Sequence, residues 1–492
     1  MYLSKSKYCK GFQCEKMLWL EKNMPEKSED INNDNVFDNG TEVGILAQDL
    51  FGPHKVVEFN EDLSQMIEDT NNYLKSDKIV LCEASLSYNN NFCSVDILIK
   101  NNDEYEIYEV KSSTHVSDIY LEDVSYQYYV LTKLNLNVTK CSIVYINNKY
   151  IRNGALDIHK LFNIKDVTDI AKSKLLSVEN KIKSIENYMN NTIEKDKDIS
   201  ENCFSPYPCP FYKYCSRKLK SPNVFDIASM PLKSKLKYYS QGKYTYESLI
   251  NENINEKYKQ QIEYNLYKKD DYINKKNIKK FLDTLSYPLY FLDFETYQQS
   301  IPKFDGVNPY MQIPFQYSLH YIKKENDIIN HKEFLAKSSN EDPRRALAER
   351  LVLDIPRDVC VLAYNMSFEK NVIEKLAMIY PDLRDHLLNI KDNIKDLIIP
   401  FKNRDYYTMK MDGSYSIKYV LPALFPNDPT LDYHNLDMVH KGDEASSFFS
   451  SIDSLNEEDK KRVRESLLKY CELDTYAMVK IWQKLNEVIK WC

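Results

Sequence analysis

Asp96, Glu109 and Lys111 are the first side chains along this sequence whose types and spacing could do chemistry together. If the residues around them form strands, Glu109 and Lys111 share one face while Val110 turns to the other, because side chains two apart lie on the same side. Asp96 falls one strand earlier. Two carboxylates and an amine at one end of a sheet can bind Mg2+ or Mn2+ and orient an attacking water, with the lysine beside the charge that develops on a phosphoryl group. A Glu-x-Lys pair alone is also what an ordinary cross-strand ion pair looks like, so context has to decide. Glu83, one strand further upstream, is either an extra ligand or a structural acid.

A second group lies far downstream. Asp293-Phe294-Glu295 ends an apolar run, Glu369 follows another apolar stretch where a helix should begin, and Tyr470 and Asp474 are four apart, on one helical face. Asp396 is the substitute for Glu369 as the third acid. Four acids and a tyrosine in one place suit two divalent ions held about 3.5 to 4 Å apart for hydrolysis of a phosphodiester.

The third group is sulfur. Cys203, Cys209 and Cys215 fall within thirteen residues, in a loop stiffened by prolines. A fourth thiolate would complete a zinc or iron-sulfur site, and Cys9 and Cys14 are the available pair near the start. Cys82, Cys93, Cys141, Cys360, Cys471 and Cys492 read as separate core thiols.

These groups need elements to carry them. Residues 78–111 alternate as three strands with turns at Asn89-Asn90-Asn91 and Asn101-Asn102-Asp103; an amphipathic segment at 118–134 and a strand at 138–146 complete a βββαβ core. Apolar residues at helical spacing, from Leu175 to Met189, predict a long helix leading to the cysteine loop. The stretch 219–280 reads as helical, Tyr- and Lys-rich, without a strand signal. A second α/β unit opens at residue 290, continues with strands at 316–322 and 359–364, and closes with a helix at 457–490. The expected domains are therefore 1–218, a connector at 219–285, and 286–492, since one core stops growing near about 250 to 300 residues.

In this setting Val95-Asp96-Ile97, then Glu109-Val-Lys111-Ser-Ser, then a helix with Gln127, resembles the PD-(D/E)XK core of RecB-like nucleases, including their CRISPR-adaptation branch. The early stretch 41–50 carries Gln48 where that branch has a metal-binding histidine. The resemblance also implies a [4Fe-4S] cluster on one early cysteine and three late ones; Gln-Cys14-Glu-Lys-Met-Leu-Trp-Leu matches the entry motif and selects Cys14, with zinc as the alternative ion. The second group resembles DEDD exonucleases of the RNase H-like fold whose last motif is Y-x3-D, which implies that Asp293, Glu295, Glu369 and Asp474 ligate metal and Tyr470 orients or deprotonates the water. The segment 301–320 resembles a domain-of-unknown-function family in which such a module follows a RecB-like one; within it Gln316 and His320 are candidates to face the cleft.

Composition bounds the rest. With 43% hydrophobic and 28% charged residues the chain should fold, and no apolar run approaches the roughly 20 residues of a membrane span. A cytoplasmic protein with reduced thiols is expected from its eleven cysteines and from the lack of an apolar leader. A net charge of −7 gives no global attraction to phosphate, so nucleic acid would be held by metal ions and local basic patches. The reading is a metal-dependent nuclease with two centres, acting on DNA ahead of RNA, as a single strand or an end; the alternative is a non-catalytic nucleic-acid-binding scaffold with decayed centres.

Overall fold

The computed structural model describes residues 2–29 and 34–490, so Cys492 lies outside it. The chain is mixed α/β and divides into two compact units, Met1–Lys220 with Gln299–Tyr310, and Ser221–Gln298 with Met311–Cys492. Two features differ from the sequence reading. The stretch 219–285 is not a separate connector but belongs mostly to the second unit, and the short segment Gln299–Tyr310 packs with the first. The reason is packing: Tyr264, Ile278, Phe281 and Leu282 bury into the same core as the last helix, and Tyr272–Ile273 forms a small strand.

Among the described residues the first unit carries a seven-stranded sheet. Its strands are β1 (Leu3–Ser4), β2 (Lys55–Val56), β3 (Lys78–Tyr88), β4 (Asn91–Asn101), β5 (Glu104–Lys111), β6 (Asn137–Ile146) and β7 (Phe162–Asp166), in the order β2-β3-β4-β5-β6-β7 with β1 beside β4. β3, β4 and β5 form the antiparallel meander; the helix Asp118–Lys133 then crosses over so that β6 runs parallel to β5. Alternation along β5 explains the two faces. Ile107 packs toward the helices Asp118–Lys133 and Thr168–Met189, whereas Tyr108 and Val110 pack into the opposite core. Glu109 and Lys111 therefore lie on the helix-covered face.

The helix Lys5–Gln13 is started by Ser4, whose Oγ accepts the Lys7 N–H at 3.3 Å. Gly11 lets it lie against Thr168–Met189: a β-carbon there would stand 2.7 Å from Ile185 Cδ1. This close approach fixes where Lys5 points.

In the second unit β8 (Tyr272–Ile273) pairs with β14 (Tyr406–Tyr407), and a five-stranded sheet takes the order β11-β10-β9-β12-β13. These are β9 (Leu289–Tyr297), β10 (Ile313–Ile322), β11 (Asn330–Leu335), β12 (Cys360–Ala363) and β13 (Ile394–Asp396). β9, β10 and β11 are antiparallel, while β12 runs parallel to β9 and to β13. Odd positions of β9, such as Phe291, pack toward the long helix Glu457–Lys490; even ones, such as Leu292 and Phe294, pack toward Arg344–Asp354 and Ser367–Ile379. Strand β11 carries no clean apolar alternation and was absent from the sequence reading. No helix among the described residues is long and apolar enough to cross a membrane.

Candidate functional sites

In the first unit β4, β5 and the helix Asp118–Lys133 bring Asp96, Glu109, Lys111 and Gln127 together. Lys111 Nζ lies 2.6 Å from Glu109 Oε1 and 2.7 Å from Asp123 Oδ2. Gln127 Nε2 donates to Glu109 Oε2 at 2.6 Å and to Asp123 Oδ1 at 3.2 Å, while Gln127 Oε1 is buried without a partner. Asp96 Oδ2 accepts the Val110 N–H at 2.7 Å, which locks the acid to the neighbouring strand. Asp123 and Lys5 were not singled out from sequence; Asp123 is one of three acids on the predicted helix, four residues before Gln127.

Lys5 reaches the same carboxylates from the first helix. Its Nζ is 3.0 Å from Asp96 Oδ1 and 3.0 Å from each oxygen of Glu109. Burial pulls its pKa down, but Asp96 and Glu109 outweigh that and leave the ammonium well above the ordinary lysine value. Glu83 faces Asp96 from β3 with φ +57°, a left-handed conformation that costs a non-glycine residue energy. Burial, with Asp96 adding to it, pushes the Glu83 carboxyl up to about 7.

In the second unit the acids come from three elements. Asp293 and Glu295 stand on the face of β9 covered by the long helix, Glu369 on the first turn of Ser367–Ile379, and Asp474 on the long helix. Glu295 and Glu369 are buried, Asp293 and Asp474 half-buried. Ligand atoms of Asp293, Glu295 and Cys471 lie within 4.8 Å of one another, and Glu369 Oε2 is buried with no hydrogen-bond partner. Burial and then Asp474 push both Asp293 and Glu295 well above the carboxylate range. Burial lifts Asp474 to about 6 against the opposing pull of Tyr433 and Lys418. Burial likewise lifts Glu369 to about 8. Burial makes all four acids hard to ionise, Asp474 and Glu369 add to it at Asp293 and Glu295, Asp396 adds to it at Glu369, and Lys418 offsets it at Glu295 and Asp474, so the site favours added positive charge.

Two tyrosines act on Asp474: Tyr433, whose O–H donates to Oδ1 at 2.6 Å, and Tyr470, which also hydrogen-bonds the carboxylate and is buried with its ring 6.0 Å from that of Tyr433. No local motif marked Tyr433, which reaches Asp474 from 41 residues away. Asp396 instead caps backbone, accepting from the N–H groups of Asn365 and Ile398 at 2.9 and 3.1 Å. Gln316 Nε2 donates to the Leu467 carbonyl, and His320 bonds Thr475, so both sit under the long helix.

The sulfurs gather in the first unit. Cys14, Cys203, Cys209 and Cys215 line one cavity with Lys16, Lys197 and Phe211. Cys9 lies elsewhere: its thiol is pushed up by burial and then by Asp123, which places it beside the carboxylate cluster. Sets of three ligand atoms within 4.8 Å occur among the described residues at Asp293/Glu295/Cys471 and at His320/His331/Glu472, and no three of the four cysteines form such a set. Tetrahedral zinc, with Zn–S of about 2.3 Å, would draw its sulfurs to about 3.8 Å. Met17, Trp19, Leu20 and Phe211 pack around Cys209 as a small apolar core joining the chain's start to the cysteine loop.

Comparison with known proteins reaches part of this arrangement. Residues 290–416 match a domain of unknown function (DUF2779), a span that includes Asp293, Glu295 and Glu369 but not Asp474. Over 217 residues the chain is 28% identical to the uncharacterized protein MG366 of Mycoplasma genitalium, covering 41% of this chain and 32% of that protein. The chain thus spans about a third of the length of the curated relative it resembles.

Proposed function

We propose that the chain is a metal-dependent nuclease that hydrolyses phosphodiester bonds, with a DEDD-type, RNase H-like centre in the second unit and a PD-(D/E)XK-type centre in the first. The observation that carries this reading is the convergence of Asp293, Glu295, Glu369 and Asp474, from β9 and two helices, on one site where burial makes all four hard to ionise and the charges of Asp474 and Glu369 add to this at Asp293 and Glu295. Such a set is unfavourable on its own and becomes favourable around divalent cations. Mg2+ or Mn2+ held there would polarise the phosphodiester and lower the pKa of a water.

The chain's own groups have separate tasks. Tyr433 holds the Asp474 carboxylate in one orientation, and Tyr470, beside it, is placed to position a water. Lys418 supplies positive charge at the edge of the pocket. In the first unit, Lys111 stands beside Glu109 where a scissile phosphate would build charge, and Gln127 fixes Glu109. Cys14, Cys203, Cys209 and Cys215, which line one cavity, would hold a [4Fe-4S] cluster, with zinc as the alternative, and its role would be to tie the first helices to the cysteine loop. DNA, as a single strand or an end, is the proposed substrate, on the likeness of the first unit's motif to DNA-processing nucleases.

A second reading has one observation on its side. Because Lys5 already neutralises Asp96 and Glu109, the first centre could serve as a non-catalytic scaffold for nucleic acid. Cleavage of a labelled oligonucleotide with Mn2+ separates the two, using Lys111→Ala and Asp474→Ala singly and together. Two working centres predict partial loss in each single variant and at least about 100-fold loss in the double. A first unit acting as scaffold predicts full loss in Asp474→Ala alone. Wild type that cleaves nothing, or a double variant as fast as wild type, refutes the nuclease reading.

A further inference from the structure

On the same sheet of the second unit, next to the four acids but with other side chains, β10 and β11 place two histidines opposite each other: Ser318, which holds one ring, is the cross-strand partner of Asp293, and Thr475, which holds the other, follows Asp474. His320 and His331 are cross-strand partners with ring centroids 4.5 Å apart. Each ring has one nitrogen taken by a hydroxyl: His320 Nδ1 by Thr475 Oγ1 at 2.8 Å, and His331 Nε2 by Ser318 Oγ at 2.9 Å. Ser318 and Thr475 are themselves joined at 2.6 Å, so one buried hydroxyl pair holds both rings. If the rings donate to these hydroxyls, the lone pairs fall on His320 Nε2 and His331 Nδ1. Glu472, on the long helix, brings Oε1 to 3.9 Å from His331 Nδ1. One ligand atom from each of the three residues lies within 4.8 Å of the others.

This is how proteins prepare imidazoles for a metal: one nitrogen fixed by a hydrogen bond, the other left basic and aimed. We propose that His320, His331 and Glu472 bind a borderline divalent ion, zinc or one of similar preference, separately from the acidic pocket. Two imidazoles and one carboxylate favour such an ion over Mg2+, which prefers oxygen ligands. The ion would clip β10 and β11 to the long helix at Glu472, midway between Tyr470 and Asp474. It would thus act as a fastener for the helix turn that carries those two residues. The assignment does not depend on the nuclease reading, because none of its ligands belongs to the four-acid set.

Zinc titration calorimetry on the anaerobically purified full chain tests it, with millimolar Mg2+ present to occupy the oxygen sites. The variants are His331→Gln, Glu472→Gln and Asp293→Asn. Glu472 is half exposed, so its substitution leaves packing intact, and circular dichroism checks the fold of each protein. The expected result is one zinc equivalent in wild type and in Asp293→Asn that is lost in His331→Gln and bound at least tenfold more weakly by Glu472→Gln. Zinc should also raise the melting temperature of wild type, raise that of Glu472→Gln less, and leave that of His331→Gln unchanged. No zinc uptake by wild type, equal uptake by wild type and both histidine-site variants, or loss only in Asp293→Asn would overturn the proposal.

Discussion

Lys5 Nζ lies 3.0 Å from both carboxylate oxygens of Glu109, although 104 residues separate them in the chain. The same ammonium is 3.0 Å from Asp96 Oδ1, so a cation carried by the first helix stands between the two acids best suited to bind a metal. The two units thus relieve carboxylate repulsion differently. The first supplies its own cations, Lys5 and Lys111, whereas the second leaves Glu369 Oε2 unpartnered and its acids hard to ionise.

A metal entering the first centre must displace Lys5. Replacing Lys5 with alanine, in an Asp474→Ala background that silences the second centre, is expected to tighten Mn2+ binding about tenfold, the scale of one charged hydrogen bond removed from competition. Mn2+ titration followed by electron paramagnetic resonance measures this. Unchanged or weaker binding would mean that Lys5 supports the site rather than competing for it.

The acids of the second unit predict a pH dependence of stability. An acid whose folded pKa lies above its unfolded value contributes stability that is complete below the ordinary carboxylate range and is lost as pH rises through the folded value. With Asp474 at about 6 and Glu369 at about 8, the metal-free protein should lose stability between roughly pH 4 and pH 8. Melting temperatures of wild type and of a Glu369→Gln, Asp474→Asn double variant, followed across that range, provide the check. The variant should show the shallower decline, and Mg2+ should flatten the wild-type curve; parallel curves would contradict the assignment.

Loss of one cysteine should be structural in effect. Cys209→Ser removes a thiol packed with Met17, Trp19 and Phe211 and should abolish visible absorbance of anaerobically purified protein and lower its melting temperature by several degrees, as loss of a metal staple does. Colourless wild-type protein containing zinc would exclude the cubane.

Gly413 predicts a backbone effect with no chemistry in it. Its φ is +75°, and a β-carbon there would fall 2.0 Å from Gln261 Oε1, a side chain held by the Asp226 and Asp412 carbonyls. Gly413→Ala should destabilise the protein by about 1 to 3 kcal/mol through strain at this position. Urea unfolding measures it, and a change below about 0.5 kcal/mol would show that the turn relaxes freely.

Local pattern decided much of what could be read without coordinates. Period-two alternation marked the meander at 78–111, and with it the shared face of Glu109 and Lys111, because strand geometry fixes side-chain direction from spacing alone. Four-residue spacing did the same for Tyr470 and Asp474 on their helix. The tertiary structure alone decided which remote groups complete each site. Lys5 enters between Asp96 and Glu109 because Gly11 lets its helix approach Ile185; Tyr433 holds Asp474 from a single 3-10 turn without a motif; and His331 meets His320 through the register of a strand that lacks apolar alternation. Such contacts depend on how elements pack rather than on the order of residues within any one of them, and short-range periodicity carries no record of packing.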